Sequence, residues 1–172
     1  IIGIIKPLLE LQKRGLINFK LRYTWLIRNV ELLKFDVVVF SRNCKITDLE
    51  LLKFCNSNKI KVIYDIDDNF FRIPLDTPIG RYHRNPIALY VVNCFLKYSN
   101  AVRVYTKVLE NHAVSVGSNV PRYNSYFDFS LISTRQRKHD NKIKIVYATS
   151  RGLNDKLGVV FSAALTRILN DF

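Results

Sequence analysis

The sequence contains no methionine, and only three cysteines, six glycines and five prolines in 172 residues. Cys44, Cys55 and Cys94 are too few and too scattered for a disulfide scaffold. With no CxxC and no paired Cys/His spacing, they build no zinc ribbon or finger. A reducing, cytosolic compartment is the expectation. Sparse glycine and proline exclude collagen-like and low-complexity chains. No apolar run approaches the roughly 20 residues that a membrane-spanning helix needs. The longest candidate, Ile87 to Leu96, is interrupted by Asn93. The start has neither a charged n-region nor a small-residue cleavage site, so no secretory signal is expected. The absence of GxGxxG, of a Walker loop and of GxSxG argues against NAD binding, P-loop ATP binding and a serine-hydrolase elbow. Without methionine, and with a helical pattern running up to the end, the chain reads as a piece of a longer protein.

What is present is an apolar, basic chain. Hydrophobic residues make up 48%, enough for a real core and too many for disorder. The length suits one ordinary domain, or one and a fraction. The net charge is +13, with 27 Lys and Arg against 14 Asp and Glu. Such an excess draws phosphate, whether in nucleic acid, anionic lipid or a small molecule, or simply keeps a protein soluble. The basic residues are dispersed, which favours solubility. A surface potential of this sign would still attract an anionic membrane, in peripheral contact at its inner face. Their densest run, Arg135-Gln136-Arg137-Lys138-His139, falls in an expected linker.

The order of elements predicts α/β architecture. Pro7 opens and Gly15 ends a short helix, the expected asymmetry of those residues. Ile17, Phe19 and Leu21 alternate with polar residues, as in a half-buried or edge strand. Residues 24–33 are expected to be helical. The β-branched run Asp36 to Ser41 predicts a strand buried on both faces. Thr47-Asp48-Leu49-Glu50 has the pattern of a capping box before a helix. Ile60 to Tyr64 is a second strand, so residues 36–65 form a βαβ unit. Residues 66–85 read as loop. Asn85 and Pro86 start an unusually apolar helix, Ile87 to Tyr98, expected to be buried on most sides. Ala101 to Tyr105 is a strand, and Thr106 caps a helix ending near Gly117. A short strand at 119–123 and a polar linker at 129–142 follow. A strand restarts at 143–148, and a strongly amphipathic helix runs from Leu157 to Leu169. The fold class is therefore α/β with a mainly parallel sheet.

In such sheets ligands bind outside the carboxyl ends of the strands. That singles out Ser41-Arg42-Asn43, then Asp65-Ile66-Asp67-Asp68-Asn69, then Thr149-Ser150-Arg151-Gly152. Three carboxylates within four residues repel unless partners compensate them, so they can grip hydroxyls, a cation or basic groups. The plain alternative is one helix cap and two solvated charges. Thr149 to Gly152 fits a phosphate at a helix N-terminus, with Arg151 adding charge; an ordinary turn is the alternative. His83, His112 and His139 lack partners at motif spacing and read as surface or loop residues.

The stretch DVVVFSRNCKITDLELLKFCNSNKIKVIYDIDDNFF, Asp36 to Phe71, resembles the N-terminal domain of family-4-type bacterial glycosyltransferases. Those proteins carry a strand ending in arginine, a helix, then a strand ending in a YDIDD-type motif. Asn100 to Leu109 is similar to their next strand and helix, Asn124 and Asp128 to residues before their linker, and Lys144 to Ser150 to the first strand and loop of their second domain. The family has glycine where Thr149 stands and histidine where Leu153 stands. The resemblance implies a Rossmann-like, doubly wound GT-B fold. Residues 1–128 would be the acceptor-side domain without its first strand, 129–142 the linker, and 143–172 the start of the nucleotide-sugar domain. It implies transfer of a sugar from a nucleotide-sugar donor to a glycan or lipid-linked acceptor in cell-surface polysaccharide synthesis. The donor is then a substrate, and no metal or further cofactor is implied. Arg42, Asp65, Asp67, Asp68 and Asn69 would border the acceptor cleft, and Thr149, Ser150, Arg151 and Gly152 the donor phosphates. The catalytic residue is unassigned, because the family's acidic donor-sugar motif would lie beyond residue 172. One alternative is a magnesium-dependent haloacid-dehalogenase-like phosphatase using Asp65 and Asp67. Another is a basic nucleic-acid-binding module, which no RRM, KH or helix-turn-helix signature supports.

Overall fold

The computed structural model describes residues 2–119 and 156–170. The chain forms two compact units, Ile1–Phe129 and Ser130–Phe172. Among the described residues of the first, a three-stranded parallel sheet is flanked by helices. The strands β1 (Val37–Ser41), β2 (Lys61–Ile66) and β3 (Ala101–Val104) lie in sequence order. The expected side-by-side parallel packing of these three segments is borne out. Val37 sits opposite Lys61 and Ser41 opposite Asp65; Ile63 sits opposite Ala101 and Ile66 opposite Val104. The helices α1 (Ile2–Lys13), α2 (Asp48–Ser57), α3 (Pro78–His83), α4 (Pro86–Tyr98) and α5 (Lys107–Ser115) belong to this unit. In the second unit α6 (Lys156–Asn170) covers the expected amphipathic helix. The expected strand at 143–148 and the linker at 129–142 lie outside the described residues. So do the anticipated domain limits at 128 and 143.

The core follows from the patterns that build it. β2 is the central strand, and its Val62, Tyr64 and Ile66 are fully buried. Val91, Val92 and Phe95 of α4 pack in the same cluster with Cys55 of α2 and Val102 and Val104 of β3. Phe95 stacks on Tyr64 at 4.9 Å and meets Phe40 at 5.1 Å. α4 starts as its sequence dictates: the Asn85 side chain accepts from the Ile87 N–H at 2.9 Å, with Pro86 at the first helical position. Thr106 caps α5 the same way, accepting from Leu109. α1, α2 and α5 all end in left-handed turns, at Gly15 (φ 71°), Lys59 (φ 58°) and Gly117 (φ 86°). In each, an N–H one residue further on reaches back five residues: Leu16 to Leu11, Ile60 to Cys55, Ser118 to Ala113.

Several local expectations are corrected. α1 starts ahead of Pro7, which sits inside it and removes one helical donor. Residues 17–21 form no strand, because alternation alone makes none without a neighbouring backbone to pair with. Residues 24–33 form two short 3₁₀ turns, Thr24–Leu26 and Asn29–Lys34, in place of one helix. Thr47 is itself helical (φ −63°, ψ −25°) and caps nothing; Asp48 accepts from the Lys45 N–H at 3.3 Å instead. β1 is an edge of the described sheet and is not buried on both faces, with Val37 47% and Val39 40% exposed. Helix α4 buries one side only, leaving Ile87, Tyr90 and Tyr98 exposed. The loop at 66–85 contains α3, capped by Thr77 and opened by Pro78. Gly80 in that helix is required by space, since a Cβ there would run into the Pro74 carbonyl oxygen. Of the expected strand 119–123, Asn119 is described, and its carbonyl accepts from Val102 at 2.9 Å.

Candidate functional site

The site is built where the three strands end. Ser41, Asp65 and Arg103 stand in one register row across the sheet. Asp65 is the middle member, only 3% exposed. Burying an unpartnered carboxylate costs on the order of several kcal/mol. Its oxygens are met from both neighbours. Ser41 Oγ donates at 3.4 Å, Tyr105 Oη at 3.1 Å, and Arg103 Nε stands 3.6 Å away. The Arg103 guanidinium also lies over the Tyr105 ring, 4.9 Å from its centre. Burial dominates and raises the Asp65 carboxyl above its usual range, against the lowering influence of Arg103 and the Tyr105 and Ser41 donors. Tyr105 is pushed up to about 12, first by burial and then by the Asp65 charge, so it remains a proton donor.

Beyond the row, the chain turns outward. Arg42 has φ 59°, a left-handed conformation that costs a non-glycine residue roughly 1–2 kcal/mol. Its N–H bonds the Asp65 carbonyl at 3.0 Å, which carries the sheet pairing one residue past β1. The guanidinium forks onto the next loop. Nε pairs with Asp67 Oδ1, while Nη2 reaches Asp67 Oδ2 at 2.8 Å and Asp68 Oδ2 at 2.6 Å. This is the bidentate geometry that arginine offers and lysine does not. The hydrogen bonds with Asp67 hold the Arg42 guanidinium charged, raising it above its usual value despite some burial. Asn69 serves its own loop, its side chain accepting from the Phe71 N–H at 3.2 Å. Beneath, the buried Tyr64 hydroxyl donates to the Asn43 carbonyl at 2.9 Å and pins the turn after β1.

Arg42, Asp65, Asp67, Asp68 and Asn69 are thus brought to one end of the sheet. Thr149, Ser150, Arg151 and Gly152 lie outside the described residues. Four further contributors escaped the sequence reading. Tyr105 and Arg103 are found only through the strand register. His83 and Cys44 are 39 residues apart and meet at 3.7 Å (Nδ1 to Sγ), with His83 stacked on Phe70 at 4.1 Å. The signal for His83 was Thr77-Pro78, a helix start that places it on α3. Burial pushes the Cys44 thiol up, while burial and the nearby Arg42 cation push His83 down. Both are neutral near pH 7, so the pair is not an activated thiolate and imidazolium. Among the described residues no group of three or more His, Cys, Asp or Glu could hold a metal ion. No described helix is long and apolar enough to cross a membrane.

No family model, curated protein or solved structure matches the chain.

The Arg42 cluster is half exposed, with side-chain exposures of 49% for Arg42, 43% for Asp67 and 55% for Asp68. Exposed pairs contribute about 0–1 kcal/mol, so the large loss expected of a broken buried pair does not apply. Arg42→Ala is expected to cost about 1 kcal/mol or less in urea denaturation. Arg42→Gly, which relieves the left-handed strain, should be at least as stable as Arg42→Ala. A loss of several kcal/mol in either variant would contradict this.

Asp65 gives a pH prediction with a definite sign. Its carboxyl is raised in the fold, so between the unfolded value near 4 and the folded one the native state binds more protons. The group's contribution is fully present below about pH 4 and is lost as pH rises through the folded value. The stability of the protein relative to Asp65→Asn should therefore fall with rising pH across this window. Urea midpoints at a series of pH values measure it, and a rise would mean that the donors outweigh burial.

Proposed function

We propose that this chain carries the acceptor-side domain and the start of the nucleotide-sugar domain of a GT-B glycosyltransferase, which moves a sugar from a nucleotide-sugar donor to a glycan or lipid-linked acceptor in cell-surface polysaccharide synthesis. One observation carries the reading: an arginine after β1 and the paired carboxylates after β2 meet in a half-exposed cluster at the carboxyl ends of a parallel sheet. This is where an α/β sheet of Rossmann-like kind offers its loops to a ligand. The most specific part of the glycosyltransferase resemblance, Arg42 together with Tyr64 to Asp68, supplies this cluster and the strand end beneath it.

The roles follow from the chemistry. Asp67 and Asp68 are about half exposed, and their carboxylates can accept from sugar hydroxyls. Arg42 orients both carboxylates and can exchange one of them for an anionic group of the acceptor. Asp65 is committed to the sheet and acts as a positioning residue. Transfer in such enzymes needs no metal, because dipoles and basic groups stabilise the leaving diphosphate. The donor would be held by Thr149, Ser150, Arg151 and Gly152. The cell location that suits this work is the cytoplasm, at the inner face of the membrane. The phosphatase reading is less well supported. It needs Asp65 and Asp67 to act together on one phosphate, yet Asp65 is buried against Tyr105 and Ser41 while Asp67 is engaged with Arg42.

Calorimetric titration of residues 1–172 with lipid-linked and anionic glycans tests the proposal. Saturable binding is expected. Arg42→Ala should weaken it about tenfold or more, the worth of a charged hydrogen bond, while the melting temperature moves by only a few degrees. Unaltered binding in Arg42→Ala would remove Arg42 from the site. Magnesium-dependent phosphate release abolished by Asp65→Asn, or robust nucleotide-sugar hydrolysis by these residues alone, would contradict the reading.

A further inference from the structure

The segment between α1 and β1 is unusually apolar on its outside. Leu21, Tyr23, Trp25, Leu26, Val30 and Leu33 fall within 13 residues, and each is more than half exposed. They are not loose. Leu32 is buried in the core, and Ile27 packs against it, so the same short segment is anchored inward while these side chains face water. Tyr23 and Trp25 stack at 4.6 Å, and the Lys45 ammonium stands 5.5 Å from the Trp25 ring centre. The turn after β1 thus brings a cation beside the stack.

The charge around it has one dominant sign. Residues 13–34 hold six Lys and Arg against one acidic residue, Glu31, which is paired with Arg28. Clustered exposed apolar side chains mark interaction surfaces. A protein partner and a nucleic acid are both conceivable for a basic surface, but the mixture here is particular. Tryptophan and tyrosine prefer the boundary between water and hydrocarbon, leucine and valine enter the acyl region, and lysine and arginine extend to phosphate.

We propose that residues 20–34 form a docking surface for an anionic lipid bilayer, with Trp25, Leu26 and their neighbours entering the headgroup boundary and Lys20, Arg22 and Lys34 contacting lipid phosphate. The charge complementarity selects anionic over zwitterionic lipid. The proposal deepens the inner-face location given under the proposed function, and the vesicle test below reads lipid binding whether or not sugar is transferred.

Trp25 is the one tryptophan in the chain, so its emission reports on this surface alone. The test adds vesicles of phosphatidylcholine, with and without phosphatidylglycerol, to the protein and follows that emission. A saturable blue shift with phosphatidylglycerol is expected, at least about tenfold weaker with phosphatidylcholine alone and weakened by salt. Lys20→Glu with Arg22→Glu, at exposed positions, should reduce binding about tenfold or more with an unaltered circular dichroism spectrum. No shift on anionic vesicles, or an equal shift on both, would overturn the proposal. So would a lipid-free shift that grows with protein concentration, which would assign the surface to self-association. A shift on duplex DNA without one on vesicles would assign it to nucleic acid.

Discussion

The buried carboxylate of Asp65 constrains the end of the sheet more than any other group. It stands on the central strand, where its charge is removed from water and must be answered from the strands on either side. Ser41 answers from β1, and Arg103 and Tyr105 from β3 and the residue beyond it. One unfavourable burial thus ties the ends of all three strands. A slip in either register would move Ser41 or Arg103 out of the row and turn alternate side chains to the wrong face. The hydrophobic packing of Tyr64 on Phe95 stabilises the sheet, while the polar row fixes how its ends are aligned.

That alignment determines what reaches the surface. With β1 and β2 aligned at Ser41 and Asp65, the N–H of Arg42, just past β1, still bonds the Asp65 carbonyl, and Arg42 then takes a left-handed turn. The turn carries the guanidinium over the loop after β2, where Asp67 and Asp68 receive it. Residues held in costly backbone conformations concentrate where a side chain must be placed for a purpose. Here the strain places a cation between two carboxylates at the rim of a parallel sheet. Part of each side chain remains open to solvent and available to a ligand.

Much of this arrangement was readable from residue order, and the failures have physical causes. The strands at 37–41, 60–65 and 101–105 announce themselves by β-branched runs, and Asn85-Pro86 and Thr106 mark helix starts that the structure keeps. The clustering of Arg42 with Asp67 and Asp68 followed from the rule that loops gather at strand ends. Partners set by register were not readable: Tyr105 is 40 residues from Asp65 and nothing local marks it. The alternation at Ile17 to Leu21 misled because a strand is defined by its neighbour. The Thr47 box misled because a threonine already in helical conformation cannot turn its hydroxyl back onto the free N–H groups. The continuous apolar run of β1 suggested a strand covered on both faces, yet Val37 and Val39 remain exposed in the described sheet.

The most direct test of the tie between strand ends is a double-mutant cycle joining Asp65→Ala and Tyr105→Phe, measured by urea denaturation at neutral pH. If the carboxylate is held across the sheet by the Tyr105 hydroxyl, Tyr105→Phe should cost about 1.5–3 kcal/mol in the native background and much less once Asp65 is removed. The account predicts a coupling of at least about 1 kcal/mol between the two positions. Additive effects, with a coupling near zero, would contradict it.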